Sequence, residues 1–173
     1  MNTAPILITS FQPWRAHQAS NSSDDLLAAL QKQGQLPADS LWLKQVPVSF
    51  ELAPVRVIGE IYRRRPRAVI CCGMAECRTY LSVEQQASRA EKTLTTTLDL
   101  PLLLQNTRFS EISRDAGSYV CNHLYYSVLE SVSKQPWKLA AVFIHVPILQ
   151  PGSRQFVLTD FAQICRQLAE QTR

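Results

Sequence analysis

The chain has 173 residues, 46% of them hydrophobic and 18% charged, with a formal net charge of +4 at pH 7. That length suits one domain that buries roughly 70% of its unfolded surface, so no disulfide or metal staple is required. The charge is modest, and the one basic run (Arg63, Arg64, Arg65, Arg67) has no interleaved aromatics, which argues against a nucleic-acid partner.

In chain order, Ala4 to Thr9 reads as a short buried strand that ends in a turn around Phe11, Pro13 and Trp14. Asn21 to Asp25 supplies cap residues and first-turn acids for a helix through Lys32. A loop from Gly34 to Ser40 leads to an alternating strand over Leu41 to Phe50, then a helix over Ala53 to Arg63 with Val57, Ile58 and Ile61 facing inward. The arginine run is the wet end of that helix, close to its favourable C-terminal dipole. Ala68 to Cys72 is a continuous apolar strand ending at Gly73, the pattern of a strand covered on both faces. A loop and a short strand or turn follow; from Gln85 to Asn106 the signal weakens, and Thr95, Thr96, Thr97 and the leucines after them fit either a strand or an irregular loop. Ser118 to Val132 is helical, Leu139 to Val146 is another buried strand, and Phe156 to Gln171 is a terminal helix with Phe161, Ile164, Cys165 and Leu168 inward. Strands separated by helices imply a layered α/β domain, residues 1–173, with a mostly parallel sheet. Sites in such sheets lie beyond the carboxyl ends of the strands.

Cys71, Cys72, Cys77, Cys121 and Cys165 make an odd count, and the vicinal pair lies inside an apolar run. Both facts favour a reducing compartment over a disulfide framework. Zinc-site spacing is lacking, so neither metal nor cofactor is expected. The chain opens on a strand rather than a leader, and no apolar run reaches the roughly 18 residues of a membrane span. The expectation is a cytoplasmic protein with no membrane partner.

Chemistry concentrates around Cys121. It follows a Gly117-Ser118 turn, two or three positions into a helix, where free N–H groups and the dipole lower a thiol pKa and can receive an oxyanion. The alternative is a core cysteine, because Cys121, Leu124, Tyr125 and Val128 share one helical face. His145, in the strand Phe143-Ile144-His145-Val146-Pro147, is either a base or a core imidazole. His123 faces away from Cys121, and His17 lies in a loop. Glu84 is the best candidate to orient His145, with Glu76 and Asp115 as competitors. Phe11 and Trp14 either sandwich a flat uncharged ring or pin their loop. Arg78 either meets an oxyanion or projects into water.

Four segments, in order, resemble the pyroglutamyl-peptidase I family: Ile6 to Trp14 with Asn21, Val69 to Arg78 continuing to Glu84, Asp115 to Asn122, and Phe143 to Pro147. The last two are the specific ones. The resemblance implies a three-layer α/β/α sandwich of the phosphorylase/hydrolase type and a cysteine exopeptidase acting on N-terminal pyroglutamyl peptides or amides. It also implies a Glu84–Cys121–His145 triad, an oxyanion role for Arg78 with nearby backbone amides, ring recognition by Phe11 and Trp14, and homo-oligomers. The chain departs from the family by a shorter stretch between Glu84 and Cys121. Ser10, Arg15, Ala16, Glu76 and Cys77 also stand where members carry glycines, and a side chain is costly there wherever positive φ is needed. The competing expectation is a non-catalytic or altered-specificity homologue that binds a small cyclic amide or peptide terminus.

Overall fold

Branched apolar residues without a polar face form strands covered from both sides, and three such runs build the centre of the sheet. The computed structural model describes residues 4–173. Its first half contains β1 (Ile6–Phe11), α1 (Ser22–Lys32), β2 (Ser40–Val46), α2 (Leu52–Arg64), β3 (Ala68–Met74) and β4 (Leu81–Glu84). There follow β5 (Gln86–Arg89), β6 (Lys92–Thr95), α3 (Leu100–Leu103), β7 (Ser110–Ser113), α4 (Val120–Val132), β8 (Ala140–Val146) and α5 (Arg154–Gln171).

Six strands pair in the order β2-β1-β3-β8-β4-β7, while β5 and β6 form a separate antiparallel hairpin. Every neighbouring pair in the large sheet is parallel except β4 against β8. The sheet is therefore mixed and mostly parallel, the middle layer of an α/β/α sandwich. One side packs Ile6, Ile8, Ile70, Val142 and Ile144 against α1 and α5; the other packs Leu7, Val69, Cys71 and Phe143 against α2 and α4. Strand alternation sorts these residues. In β8 the even positions face α1 and α5, so Phe143 and His145 face α4.

Local chemistry sets the helix ends. Asn21 caps α1 by accepting from Ser23 N at 3.1 Å, and Asp24 and Asp25 fill its first turn. Arg63 and Arg64 close α2 and pair with Glu60, as expected for a solvated helix end. The second strand stops at Val46, with Gln45 at φ 50, so Val48 lies beyond it. Between Gln85 and Asn106, Thr95 ends strand β6 of the hairpin, and the leucines that follow form the short helix α3 rather than a strand or irregular loop. Strand β7 has no counterpart in the apolar pattern. Its approach is held by Asp160 of α5, whose buried carboxylate accepts from Arg108 N, Phe109 N and Ser110 Oγ at 3.0, 2.5 and 2.8 Å.

Burial pushes the thiols of Cys71 and Cys165 from an ordinary 9.0 up to about 12. Between those values the unfolded chain loses these protons while the native state keeps them, so stability falls as pH rises. Each thiol contributes a slope of about 1.4 kcal/mol per pH unit. Urea unfolding at pH 8.5, 9.5 and 10.5 is expected to show this decline, and C165A to lessen it.

Candidate active site

The antiparallel contact of β4 with β8 builds the centre of the site. Their register sets Ser82 opposite His145 and Glu84 opposite Phe143, so Glu84 and His145 are diagonal neighbours on one face. A glutamate is long enough to cross that diagonal. Its Oε1 lies 2.7 Å from His145 Nδ1, with Glu84 fully buried and His145 6% exposed. With Nδ1 engaged, Nε2 is the ring nitrogen left for the cleft that His145 lines.

Cys121 is the second residue of α4, which starts at Val120, two residues later than the sequence pattern predicts. The displaced residues form a turn. Ser113 Oγ accepts from Asp115 N at 3.2 Å, Asp115 Oδ1 accepts from Gly117 N at 2.9 Å, and Gly117 takes φ +77. This left-handed step lets the chain swing into the helix. Cys121 is partly exposed and lines the same cleft as His145, a cavity of about 400 Å³. No hydrogen bond joins Sγ to the imidazole among the described residues.

The thiol does not have the lowered pKa expected from its place in the helix. Burial, then the neighbouring Cys71 and Glu84, pushes it up to about 12, against a smaller opposing effect of a backbone N–H. Desolvation outweighs the helix terminus, so the resting side chain is a thiol.

A residue not recognised from the sequence seats the sulfur. A Cβ at Gly73 of β3 would lie 2.8 Å from Cys121 Sγ and 2.9 Å from Phe143 Cζ. The only sequence signal was a glycine ending an apolar strand. Asn122, next to the thiol, is a second such residue. It accepts from Ser88 N at 2.9 Å and donates to Ser88 O at 2.7 Å, fastening the β5–β6 hairpin to the start of α4. Arg89 reinforces this through Ser127 Oγ at 2.8 Å and the Tyr126 ring.

The competing carboxylates make other contacts, although Glu76 lines the same cleft. Glu76 bonds Arg15, His17 and Gln18, lacing the loop after β1 to the loop after β3, and the Gln18 and His17 contacts hold its carboxyl below the ordinary range. Asp115 serves the turn. His123 stacks edge-on to Phe50, away from the cleft, and His17 is exposed. Arg78 lines the cleft and donates to Ser113 Oγ and Asp115 O, with Glu84 Oε1 at 3.4 Å.

Trp14 lines the cleft that holds Cys121 and His145, whereas Phe11 is 2% exposed and packed in the core. The two meet at a side recess shared with Asn21, Val48, Met74, Tyr119 and Cys121, whose free space of about 10 Å³ is the size that admits one water. Ser10, Arg15, Ala16, Glu76 and Cys77 all lack positive φ, so none of these substitutions strains the backbone. Ser10 is bonded to Asp24 and Trp42 at 2.5 and 2.8 Å. No group of three or more potential metal ligands occurs among the described residues, and no helix there is long and apolar enough to cross a membrane.

Residues 103–158, which include Cys121 and His145, match a family model described as pyroglutamyl peptidase. The chain is 26% identical to pyrrolidone-carboxylate peptidase 1 of Caldanaerobacter subterraneus subsp. tengcongensis, over 91% of this chain and 92% of the relative. That alignment runs to 190 positions, more than the 173 residues of the chain, so the relative carries segments this chain lacks. Similarity to pyrrolidone-carboxylate peptidase 2 of the same organism is 28% over 83% of this chain and 81% of the relative. In fold the chain is similar to the crystal structure of Bacillus amyloliquefaciens pyroglutamyl peptidase I, at TM-score 0.82 and 20% identity, covering 96% and 97% of the two chains. The pyrrolidone carboxyl peptidase of Thermococcus litoralis gives 0.81 and 19%, covering 99% of this chain and 97% of the other.

Gly73→Ala sets a methyl group against the sulfur, backed by Phe143. It is expected to destabilise the fold by about 1–3 kcal/mol and to slow alkylation of Cys121, read by denaturant titration and peptide mass.

Proposed function

We propose that this chain, a divergent member of the pyroglutamyl peptidase family, is a cysteine exopeptidase hydrolysing the amide bond after an N-terminal pyroglutamyl residue. The observation that carries this reading is the buried Glu84–His145 pair, 2.7 Å apart, opening on the cleft that holds Cys121 at the start of a helix.

Burial favours the protonated form of the Cys121 thiol, so a base is needed when the sulfur attacks. His145 Nε2 takes the proton as sulfur attacks the pyroglutamyl carbonyl. Glu84 at Nδ1 holds the tautomer and stabilises the imidazolium that forms. The first-turn N–H groups of α4, which no side chain caps, are the donors that this reading gives to the resulting oxyanion. Collapse of the tetrahedral adduct breaks the C–N bond, and His145 returns its proton to the departing amine. Water, deprotonated by the same imidazole, then cleaves the thioester, releasing pyroglutamate and restoring the thiol. The pyroglutamyl ring lacks a charged amine, and the apolar side chains of Trp14, Met74, Ala116 and Tyr119 along the cleft that holds Cys121 and His145 suit it.

The recess beside Phe11 has room for about one water and not for a ring, which favours a second reading: a non-catalytic or altered-specificity homologue that takes a cyclic amide or peptide terminus in the wider cleft lined by Trp14 and Tyr119. Assay of a pyroglutamyl-arylamide separates the two. The peptidase should release the arylamine, with C121A and H145A each lowering kcat/KM by about 10³-fold or more and E84Q by about 10²-fold. Wild-type protein that is stabilised by 2-pyrrolidone but releases no arylamine would establish the second reading.

A further inference from the structure

Arg78 reaches from the loop after β3 to three other parts of the chain. One terminal nitrogen donates to Asp115 O at 2.7 Å and lies 3.4 Å from Glu84 Oε1. The other donates to Ser113 Oγ at 3.2 Å and lies 3.8 Å from Glu111 Oε1. Both terminal nitrogens are thus committed before any substrate arrives. Glu84 depends on one of them. Its Oε2 is buried with no hydrogen-bond partner, so Oε1 alone carries the contacts to His145 and Arg78. Leaving a buried carboxylate with a single neighbour is costly, and it frees the group to rotate away from the imidazole. The Asp115 contact has a second consequence. Asp115 also holds Gly117, the left-handed residue that turns the chain into α4, so the same guanidinium anchors the approach to Cys121.

We propose that Arg78 is a positioning residue, a strut that holds the Glu84 carboxylate on His145 and fixes the turn that launches the Cys121 helix, and is not the donor that receives the oxyanion. The proposal rests on the reading of Glu84, His145 and Cys121 as one catalytic unit. The planar guanidinium fork suits the task because it meets three acceptors at fixed angles, which an ammonium point charge cannot.

Alkylation of Cys121 by iodoacetamide separates a strut from an oxyanion donor. The S–C bond forms, iodide leaves and the thiol proton passes to His145; no carbonyl oxyanion arises. The rate at Cys121, resolved from the exposed Cys77 by peptide mass, is compared in wild type, R78Q, R78K, E84Q and R78Q/E84Q, with thermal melts confirming that each is folded. A strut predicts that R78Q slows alkylation about tenfold, that R78K lies between R78Q and wild type, and that the double variant is no slower than E84Q alone. Wild-type alkylation in R78Q, or losses that multiply in the double variant, would overturn the proposal. If wild-type protein cleaves no pyroglutamyl-arylamide, the peptidase reading fails, while the alkylation series still decides the role of Arg78.

Discussion

A carboxylate with no exposed surface must find its partners inside the protein, and Glu84 finds His145. That contact requires β4 to run antiparallel to β8 within an otherwise parallel sheet, because only that register puts the two side chains on one face and one diagonal apart. The other site elements gather around the pair. Helix α4 covers the same face, Tyr125 donates to Glu84 O at 2.9 Å, and Arg78 closes the outer side. A buried polar group so placed is expensive unless its neighbours are held still, which explains the density of hydrogen bonds between residues 78 and 117.

The nucleophile candidate is governed by packing more than by the helix dipole. Gly73 allows the sulfur to lie against the strand backbone, in surroundings that keep the thiol protonated. A base is therefore needed at the moment of attack. The reactivity of such a site depends on how firmly His145 is held.

The stretch between Glu84 and Cys121 is fastened to the body of the fold. Its hairpin is not a loose remnant, because Asn122 pairs with both backbone groups of Ser88 and Arg89 lies over Tyr126. Neither the hairpin nor β7 shows in the pattern of apolar residues. The four strand residues Lys92 to Thr95 are mostly exposed, and Ser110 to Ser113 carries one large apolar side chain, itself exposed. Periodicity reports burial, and these strands are held by pairing and by polar contacts from Asn122 and Asp160.

Elements that bury one or both faces were legible from residue order alone: β1, β3, β8, Val57 and Ile61 of α2, the inward residues of α5, and the Asn21 cap of α1; Ile58 of α2, expected inward, is only half-buried, and Ala53 is buried. A cysteine at a helix start, a histidine near a strand end and a glutamate beyond a strand-end loop stood out as candidates, but residue order left each with a structural alternative, and only the resemblance to a family tied them together. Tertiary structure decided which carboxylate meets the imidazole, since Glu76 and Asp115 are equally acidic in sequence yet bond elsewhere. It also decided the protonation of Cys121, the seat beneath it at Gly73 and the engagement of Arg78. Periodicity encodes which side of an element is dry. Distances across strands and the desolvation of a thiol arise only when elements distant in sequence are packed together.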